Sequence, residues 1–318
     1  MKTVFLIHEN KNWAEPLEKA LNKIGVAYRD WYMVDRVINM TTLPPEGVFY
    51  NRMSASAHSR GHRYSPELTS GLLAWLEANN RLVVNGSDAI RLELSKMVQY
   101  SSLKEVGINV PPTIATTNDA GIFEAAKLLG YPIITKHNRA GKGLGVKLFH
   151  NDAELKDYVY GDEFEPSIDG ITLIQEYIEA PDSSITRIEF VNQKILYALR
   201  VDTSSGFDLC PADSCEKHEM DLSTFKQPGL ELNKKPKFSI IENFSTLPVA
   251  QNLVPRMERL MKRVGIEVAA FEFILDKDLN PFVYDINVNT NYNNAVEESS
   301  ELSGFSAVAN FLQRVSQY

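Results

Sequence analysis

The stretch FEFILDKDLNPFVYDIN, Phe271 to Asn287, sets two carboxylates and an amide inside apolar runs. AFEFIL and FVYDIN alternate with period two and are rich in aromatic and β-branched residues, so both predict strands. The DKDLNP between them is turn chemistry. With Leu275 opposite Phe282, antiparallel pairing brings Glu272 opposite Asp285, and Asp285 and Asn287 share a face. Like charges directly opposite each other are unfavourable in a sheet. At about 5 Å and an effective dielectric of about 20 the repulsion is on the order of 3 kcal/mol. A cation reverses that sign. Two carboxylates and an amide oxygen suit Mg2+, or Mn2+ in its place, with waters or phosphate oxygens completing the shell. A solvated sheet face whose acids merely lie near one another is the plainer reading of the hairpin alone. A calcium loop is excluded: Asp276, Asp278 and Asn280 have the opening spacing of an EF-hand. Pro281, however, stands where the turn glycine belongs, and Asn287 where the bidentate Glu belongs.

Basic residues gather elsewhere. PIITKHNRAGKGLGV places Lys136 near a strand end, followed by Gly141, Lys142, Gly143 and Gly145. Glycines let backbone amides approach an anion, and a lysine beside them supplies charge. The Walker order G-x4-G-K-[ST] is absent, and the loop joins two strands. It would therefore lie over phosphates as a flap, although a plain turn is the commoner origin of such a loop. Lys96, in LELSKMVQY, is on a helix and taken alone reads as a surface lysine. LIQEYIEAPD runs from a buried strand into a polar break; it presents backbone groups to an adenine or simply ends a strand. NRMSASAHSRGHRY, Asn51 to Tyr64, leaves the carboxyl end of the strand GVFY, where ligands bind in open α/β layers. It puts Arg52, His58, Arg60, His62 and Arg63 within twelve residues of an otherwise acidic chain. Arginine forks match carboxylates, so this stretch is expected to read a substrate acid. Arg52, nearest the strand end, leads; Arg60 and Arg63 meet phosphates or solvent. The alternative is a solvated loop whose arginines pair with surface acids.

The elements that must position these residues follow from the rest of the chain. Its 318 residues suffice for two or three domains, and 44% hydrophobic with 23% charged residues is an ordinary globular composition. A formal charge of −8 argues against nucleic acid or a membrane as partner. The opening apolar run is too short for a signal peptide, and no run is long enough to span a membrane. Two cysteines form no disulfide framework, so a cytoplasmic setting is expected. Cys210, Cys215 and His218 lack an evident fourth ligand for structural zinc. Residues 1–88 alternate strand and helix, indicating a parallel α/β domain, with SPELTSGLLAWLEANN capped by Ser65. Residues 89–111 read as a helical connection. Residues 112–178 form a compact α/β unit: helix, strand PIITKH, Gly-rich turn, strand VKLFH, helix, strand TLIQEYI. Residues 179–318 are strand-rich, with a hairpin over ITRIEFVNQKILYALRVDT and a polar segment, 216–247, expected to be a long loop. The amphipathic helix VAQNLVPRMERLMKRVG then leads into the carboxylate hairpin.

The order of these signals is more specific than any one of them. SK at 95–96, ITK at 134–136, the loop to Gly145, QEYI at 175–178, Arg187, Arg200, then Glu272, Asp285 and Asn287 together resemble the ATP-grasp superfamily. The look is nearest to carboxylate–amine ligases of the glutathione synthetase and ribosomal-protein glutamate ligase type. The resemblance covers roughly residues 80–318. It implies an ATP-grasp fold, α/β and α+β, with an amino-terminal parallel α/β domain and two α+β subdomains enclosing ATP. Lys96 and Lys136 would contact the phosphates and the 140–146 loop would cover them. Gln175, Glu176, Tyr177 and Ile178 would form the adenine hinge, with Asp182 on the ribose. Arg187 and Arg200 would neutralise the transferring phosphate, and Glu272, Asp285 and Asn287 would hold one or two Mg2+. The implied reaction joins a small carboxylate to an amine, an amino acid or a peptide, through an acyl-phosphate; a homo-oligomer is left open. A nucleotide-binding regulator and a small-molecule kinase are the alternatives. Two departures stand out: the first two metal positions are Glu then Asp rather than Asp then Glu, and VNTNYNNA replaces a Ser-Pro-Gly turn. The second leaves the acceptor's identity open.

Overall fold

The structure, a computed structural model, describes residues 1–141, 143–204, 236–300 and 302–318. Strands β1 (Val4–His8), β2 (Tyr28–Tyr32), β3 (Val48–Asn51) and β4 (Leu82–Val84) form a parallel sheet in the order β2-β1-β3-β4. β1 and β3 are buried along their whole length, which explains their unbroken apolar runs: both faces are covered. Helix α1 (Lys11–Lys23) starts at Asn10, whose side chain accepts from the Trp13 amide at 3.3 Å. Helix α2 (Ser65–Ala78) carries Pro66 in its first turn as expected. Ser65 is not its cap: it is already helical, and its hydroxyl donates to the Met33 carbonyl at 3.2 Å.

The single helical connection expected over 89–111 is two helices, α3 (Ser87–Glu93) and α4 (Lys96–Glu105). Ser95 is extended and caps α4 by accepting from the Val98 amide at 3.4 Å. This break has a consequence for function, because it places Lys96 in a first helical turn, buried rather than on the surface.

The second sheet is antiparallel, in the order β5-β8-β6-β7: β5 (Thr113–Thr116), β6 (Ile133–His137), β7 (Lys147–Phe149) and β8 (Thr172–Glu176). Helices α5 (Asp119–Leu129) and α6 (Asp152–Val159) back it through Ile122, Ala126, Leu155 and Val159. β5 escapes the sequence pattern because TIAT is four residues, half-exposed throughout, directly after Pro111-Pro112.

The third sheet, β11-β10-β9-β12-β13, contains β9 (Ser184–Val191), β10 (Lys194–Asp202), β11 (Phe238–Ile240), β12 (Val268–Leu275) and β13 (Pro281–Asn287). The β9–β10 turn is Asn192-Gln193, both with positive φ (54° and 59°), as a two-residue hairpin requires. One face packs on α4 and α7 (Pro248–Val264) through Phe190, Phe271, Leu103, Met257 and Leu260. The other packs against α1 and the terminal helix α9 (Gly304–Val315) through Val201, Leu17, Leu21, Phe305 and Leu312. Each fully buried leucine in such a seam contributes roughly 1.5–3 kcal/mol. α9 and the short α8 (Asn294–Ser299) went unread in the sequence. β11 corrects the loop expected over 216–247; the rest of that segment to residue 235, with Cys210, Cys215 and His218, lies outside the described residues. Among the described residues no helix is long and apolar enough to cross a membrane.

Candidate active site

A cleft of about 420 Å³ opens where the three sheets face one another. Of the residues singled out in the sequence, Lys96, Lys136, Gly141, Gly143, Gln175, Glu176, Tyr177, Ile178, Arg187, Glu272, Asp285 and Asn287 line it. Positions separated by up to 191 residues are thus brought together.

Glu272 does lie opposite Asp285, but by a different route from the expected register. Leu275 pairs with Pro281 and Ile274 with Phe282, one residue off, and a β-bulge between Glu272 and Phe273 restores the alignment. The bulge leaves Tyr284 as the extra residue, and its hydroxyl donates to Glu272 Oε2 at 3.1 Å. The acids are also not left to a bound cation alone. Arg187 donates to Glu272 Oε1 at 2.6 Å, to Glu189 at 2.6 Å and to Thr290 Oγ1 at 2.6 Å. Lys96 Nζ meets Asp285 Oδ1 at 2.8 Å and the Ala140 carbonyl at 3.3 Å. Internal ammonium and guanidinium groups therefore offset the repulsion inferred from the sequence.

These contacts set the electrostatics. Burial works to raise the Asp285 carboxyl, but Lys96 and Lys136 outweigh it and hold it below the usual range. Burial raises Glu272, with Arg187 offsetting only part of the effect. Burial likewise lowers Lys136, against the pull of Asp285 and Glu272. Lys136 Nζ donates to the Tyr284 carbonyl at 3.0 Å and to the Tyr100 hydroxyl at 3.2 Å, so it is held rigidly under the cleft. The hard-oxygen set of Glu272, Asp285 and Asn287 on one wall fits a Mg2+ ion.

At the end of β8, the Glu176 amide donates to Pro112 O at 2.9 Å and the Tyr177 amide to Pro132 O at 3.2 Å. Gln175 is directed inward, donating to Tyr100 Oη at 2.9 Å and Thr113 Oγ1 at 2.8 Å, so it shapes the wall. The glycine loop folds as consecutive turns, Leu144 N to Gly141 O at 3.3 Å and Val146 N to Gly143 O at 3.0 Å. Gly145, φ +72°, is fixed by the fold itself: a Cβ there would collide with the His137 ring. It does not line the cleft. Lys142 lies outside the described residues.

Other expected site residues are placed elsewhere. Arg200 pairs with Asp182 at 3.3 Å and with Asp202 at 3.6 Å, so the candidate catalytic arginine and ribose contact neutralise each other. Neither lines the cleft, although Ser183, Thr203 and Ser204 beside them do. The basic stretch is met by acids and carbonyls. Arg60 and His62 share Glu9, at 2.5 Å and 2.7 Å, and Arg63 pairs with Glu67. His58 Nδ1 sits 3.2 Å from Ala55 O, and the Asn51 amide donates to Asn85 O at 2.9 Å. Arg52 is 3% exposed and donates to Trp13 O, Thr290 O and Asn291 Oδ1 at 2.6, 3.1 and 2.9 Å. None of Asn51, Arg52, His58, Arg60, His62 and Arg63 lines the cleft; the stretch reaches it through Ser54, Ala55 and Ser56.

The cleft also holds residues that sequence reasoning passed over: Trp13, Glu93, Tyr284, Asn289 and Asn291. Glu93 accepts from the amides of Ala55 at 3.0 Å and Val288 at 2.8 Å, and burial pushes its carboxyl up to about 7. No periodicity marks it. The asparagines had a signal: 287, 289 and 291 recur with the two-residue period of an extended chain.

Residues 96–182 match the family model for the carbamoyl-phosphate synthase L chain, ATP binding domain. The carbamoyl phosphate synthase large chain of Pyrobaculum aerophilum is 28% identical over 99 residues, 31% of this chain and 10% of that one. A D-alanine–D-alanine ligase from a Marinomonas species is 27% identical over 104 residues, 32% of each chain. The chain thus spans a tenth and about a third of the length of these curated relatives. Solved structures match end to end. An ATP-grasp RimK domain protein from Sphaerobacter thermophilus superposes with TM-score 0.64 at 17% identity, covering 98% of this chain and 99% of that one. The ATP-grasp ligase PsnB, complexed with a minimal precursor, gives 0.64 at 15% identity, covering 99% of each. Three sheets enclosing a cleft of lysines, an arginine and paired carboxylates define an ATP-grasp fold. The chain thus has the ATP-grasp fold over its whole length, and its residues 96–182 are similar to an ATP-binding domain.

Proposed function

We propose that the chain is a Mg2+- and ATP-dependent ligase that joins a carboxylate to an amine. The observation that carries this reading is that the Lys96–Asp285 and Arg187–Glu272 pairs line one cleft together with Ala140, Gly141, Gly143 and Leu144. Phosphoryl transfer needs positioning and charge stabilisation more than a protein nucleophile, and such groups are what the cleft wall offers. Lys96 and Lys136 bind the phosphates, the glycine loop with Lys142 covers them, and Glu176 to Ile178 face the adenine. Glu272, Asp285 and Asn287 would hold Mg2+, which would supply positive charge to offset the charge that develops on the transferring phosphate. Lys96 then exchanges its carboxylate partner for phosphate. Arg187, anchored by Glu189 and Thr290, presents a fixed positive charge to the γ-phosphoryl group as a carboxylate oxygen attacks it and ADP leaves. An amine next attacks the acyl carbon and expels phosphate. The resemblance to D-alanine–D-alanine ligase and to PsnB supports ligation as the reaction class. Arg200 joins the site only if it leaves Asp182.

The test is phosphate release from Mg-ATP over a matrix of amino acids, small peptides and carboxylic acids, with mass spectrometry of products. Amine-dependent release with a new amide mass is expected. Phosphate transfer to an acid or alcohol with no amine dependence would instead identify a kinase. Saturable ATP binding without turnover on any pair would identify a regulator.

A further inference from the structure

We propose that Glu67 is a positioning residue for the nucleotide site: through Arg139 it ties the entry of the glycine loop to the amino-terminal domain. The proposal rests on the reading of that loop as the cover of the phosphates. Residues 138–140 lead from β6 into the loop, and Ala140 and Gly141 line the cleft. Three other parts of the chain grip them. From α4, the Lys96 amide donates to Asn138 O at 3.1 Å and the Met97 amide to Asn138 Oδ1 at 3.0 Å. Lys96 Nζ adds its bond to Ala140 O. From the segment before β8, Asp169 accepts from Asn138 Nδ2 at 2.6 Å, and Ser167 Oγ accepts from the Arg139 amide at 3.4 Å. From α2, Glu67 accepts from Arg139 Nη1 at 2.6 Å and from Nη2 at 3.3 Å. Of the three, the last alone comes from the amino-terminal domain.

The pair is unevenly buried. The Arg139 side chain is 7% exposed and that of Glu67 46%. A guanidinium at that depth keeps its place only beside a counter-charge. Both η nitrogens find theirs on Glu67, and Nε is buried without a partner. Without Glu67, Arg139 turns toward water and draws Ala140 and Gly141 with it. Glu67 Oε1 also accepts from Arg63, in a more exposed pair that does not touch the loop. Burial works against the Glu67 charge, but Arg139 and then Arg63 hold its carboxyl down at about 2, so the pair stays charged across the neutral range. The charge gives the test its sign. Glu67 is an anion bonded to the residue next to the cleft lining, and the cleft is proposed to hold a polyanion. By Coulomb's law alone its removal tightens ATP binding; loss of the loop's position weakens it.

The experiment is calorimetric titration of Mg-ATP into the full chain and into Glu67→Gln, Arg139→Gln, the double variant and Arg63→Gln, each with its melting temperature. Glu67→Gln and Arg139→Gln should each weaken ATP binding about tenfold. The double variant should lose no more, because both single changes break the same contact. Arg63→Gln should stay within about twofold, as a surface pair does. Amide exchange over residues 133–141, read by mass spectrometry without nucleotide, should quicken in Glu67→Gln. Unchanged or tighter ATP binding in Glu67→Gln, additive losses in the double variant, an equal loss in Arg63→Gln, or unchanged exchange overturns the proposal, whatever the melting temperature does. Where Glu67→Gln does not fold, Glu67→Asp, which keeps the charge and shortens the reach, is read by the same criteria. The two readings fail distinguishably. A wild-type chain that binds no ATP removes the nucleotide site and this proposal with it, whereas ATP binding indifferent to Glu67 removes only the positioning.

Discussion

The carboxylate hairpin and the basic stretch 51–64 pose the same problem in sequence, a run of like charge, and the fold solves both with opposite charge. Glu272 and Asp285 receive Arg187 and Lys96; Arg60 and His62 receive Glu9, and Arg63 receives Glu67. Only the hairpin's charges line the cleft. Charge clustering by itself therefore says little about ligands. What separates the regions is where the neutralised pairs are exposed, and whether an incoming ligand can take a partner's place. Lys96 bonds to Asp285 at the cleft wall, where on the proposed function phosphate and metal would replace each for the other. Arg52 is embedded between Trp13 and Thr290, where its loss would open the structure rather than a substrate contact.

The largest effect is expected on the hairpin side. Asp285→Asn should lower turnover about a thousandfold or more, since the proposed metal ligand and the partner of Lys96 are lost together. Melting temperatures with and without Mg-ATP separate this from unfolding. Near-normal turnover would remove the metal assignment and erase the distinction between the two regions.

The opposite result is expected at Arg52. Arg52→Ala should cost about 3 kcal/mol of stability, because three buried oxygens lose a charged donor. Denaturant titration measures it. The variant, where folded, should keep its KM for the acid within about threefold; a tenfold rise in that KM at unchanged stability would return the basic stretch to the substrate site. Lys136 sharpens the hairpin side again. Buried and held by Tyr100 and Tyr284, it should matter more than Lys142: Lys136→Ala should weaken ATP binding about thirtyfold, roughly 2 kcal/mol, and Lys142→Ala several-fold less. Calorimetric titration of ATP into both variants decides it, and equal effects would make the loop a turn and nothing more.

How far the sequence could be read follows the same division. That Lys96, Lys136, Arg187, Glu272, Asp285 and Asn287 would converge on one cleft was legible because their order along the chain resembles a family, and period-two alternation marked the strands of Glu272, Asp285 and Asn287. The hairpin register was legible only in its outcome, since nothing in FVYDIN announces the bulge at Tyr284. The pairing of Arg200 with Asp182, which leaves both off the cleft lining, was not legible because it depends on the β9–β10 hairpin bringing positions 18 residues apart together. Glu9 and Glu67, which silence the basic stretch, lie on other elements, and spacing within the stretch cannot reveal them. Glu93 was invisible for a related reason: its partners are backbone amides, which carry no residue type.

Glu93 is also where the two regions meet, and it gives the smallest of the expected effects. Its carboxylate accepts from Ala55 N, within the basic stretch, and from Val288 N, just beyond the hairpin. Burial raises it from an ordinary 4.5 to about 7, with the two amides offsetting only part of that. A carboxyl whose folded value lies above its unfolded value binds more protons in the folded state. Its contribution therefore favours folding below 4.5 and is progressively lost as pH rises toward 7. From pH 5.5 to 7.5 the loss from this group should be on the order of 1–2 kcal/mol. Glu93→Gln cannot ionise, so its stability should be flatter across that window. Its absolute stability near pH 5.5 should be lower, because one face of the amide presents a donor to a backbone N–H. Urea titrations of both proteins at several pH values measure the difference in slope. Parallel curves would show that Glu93 stays ionised in the folded protein, and that the amides of Ala55 and Val288 hold the two regions together by charge-assisted bonds throughout.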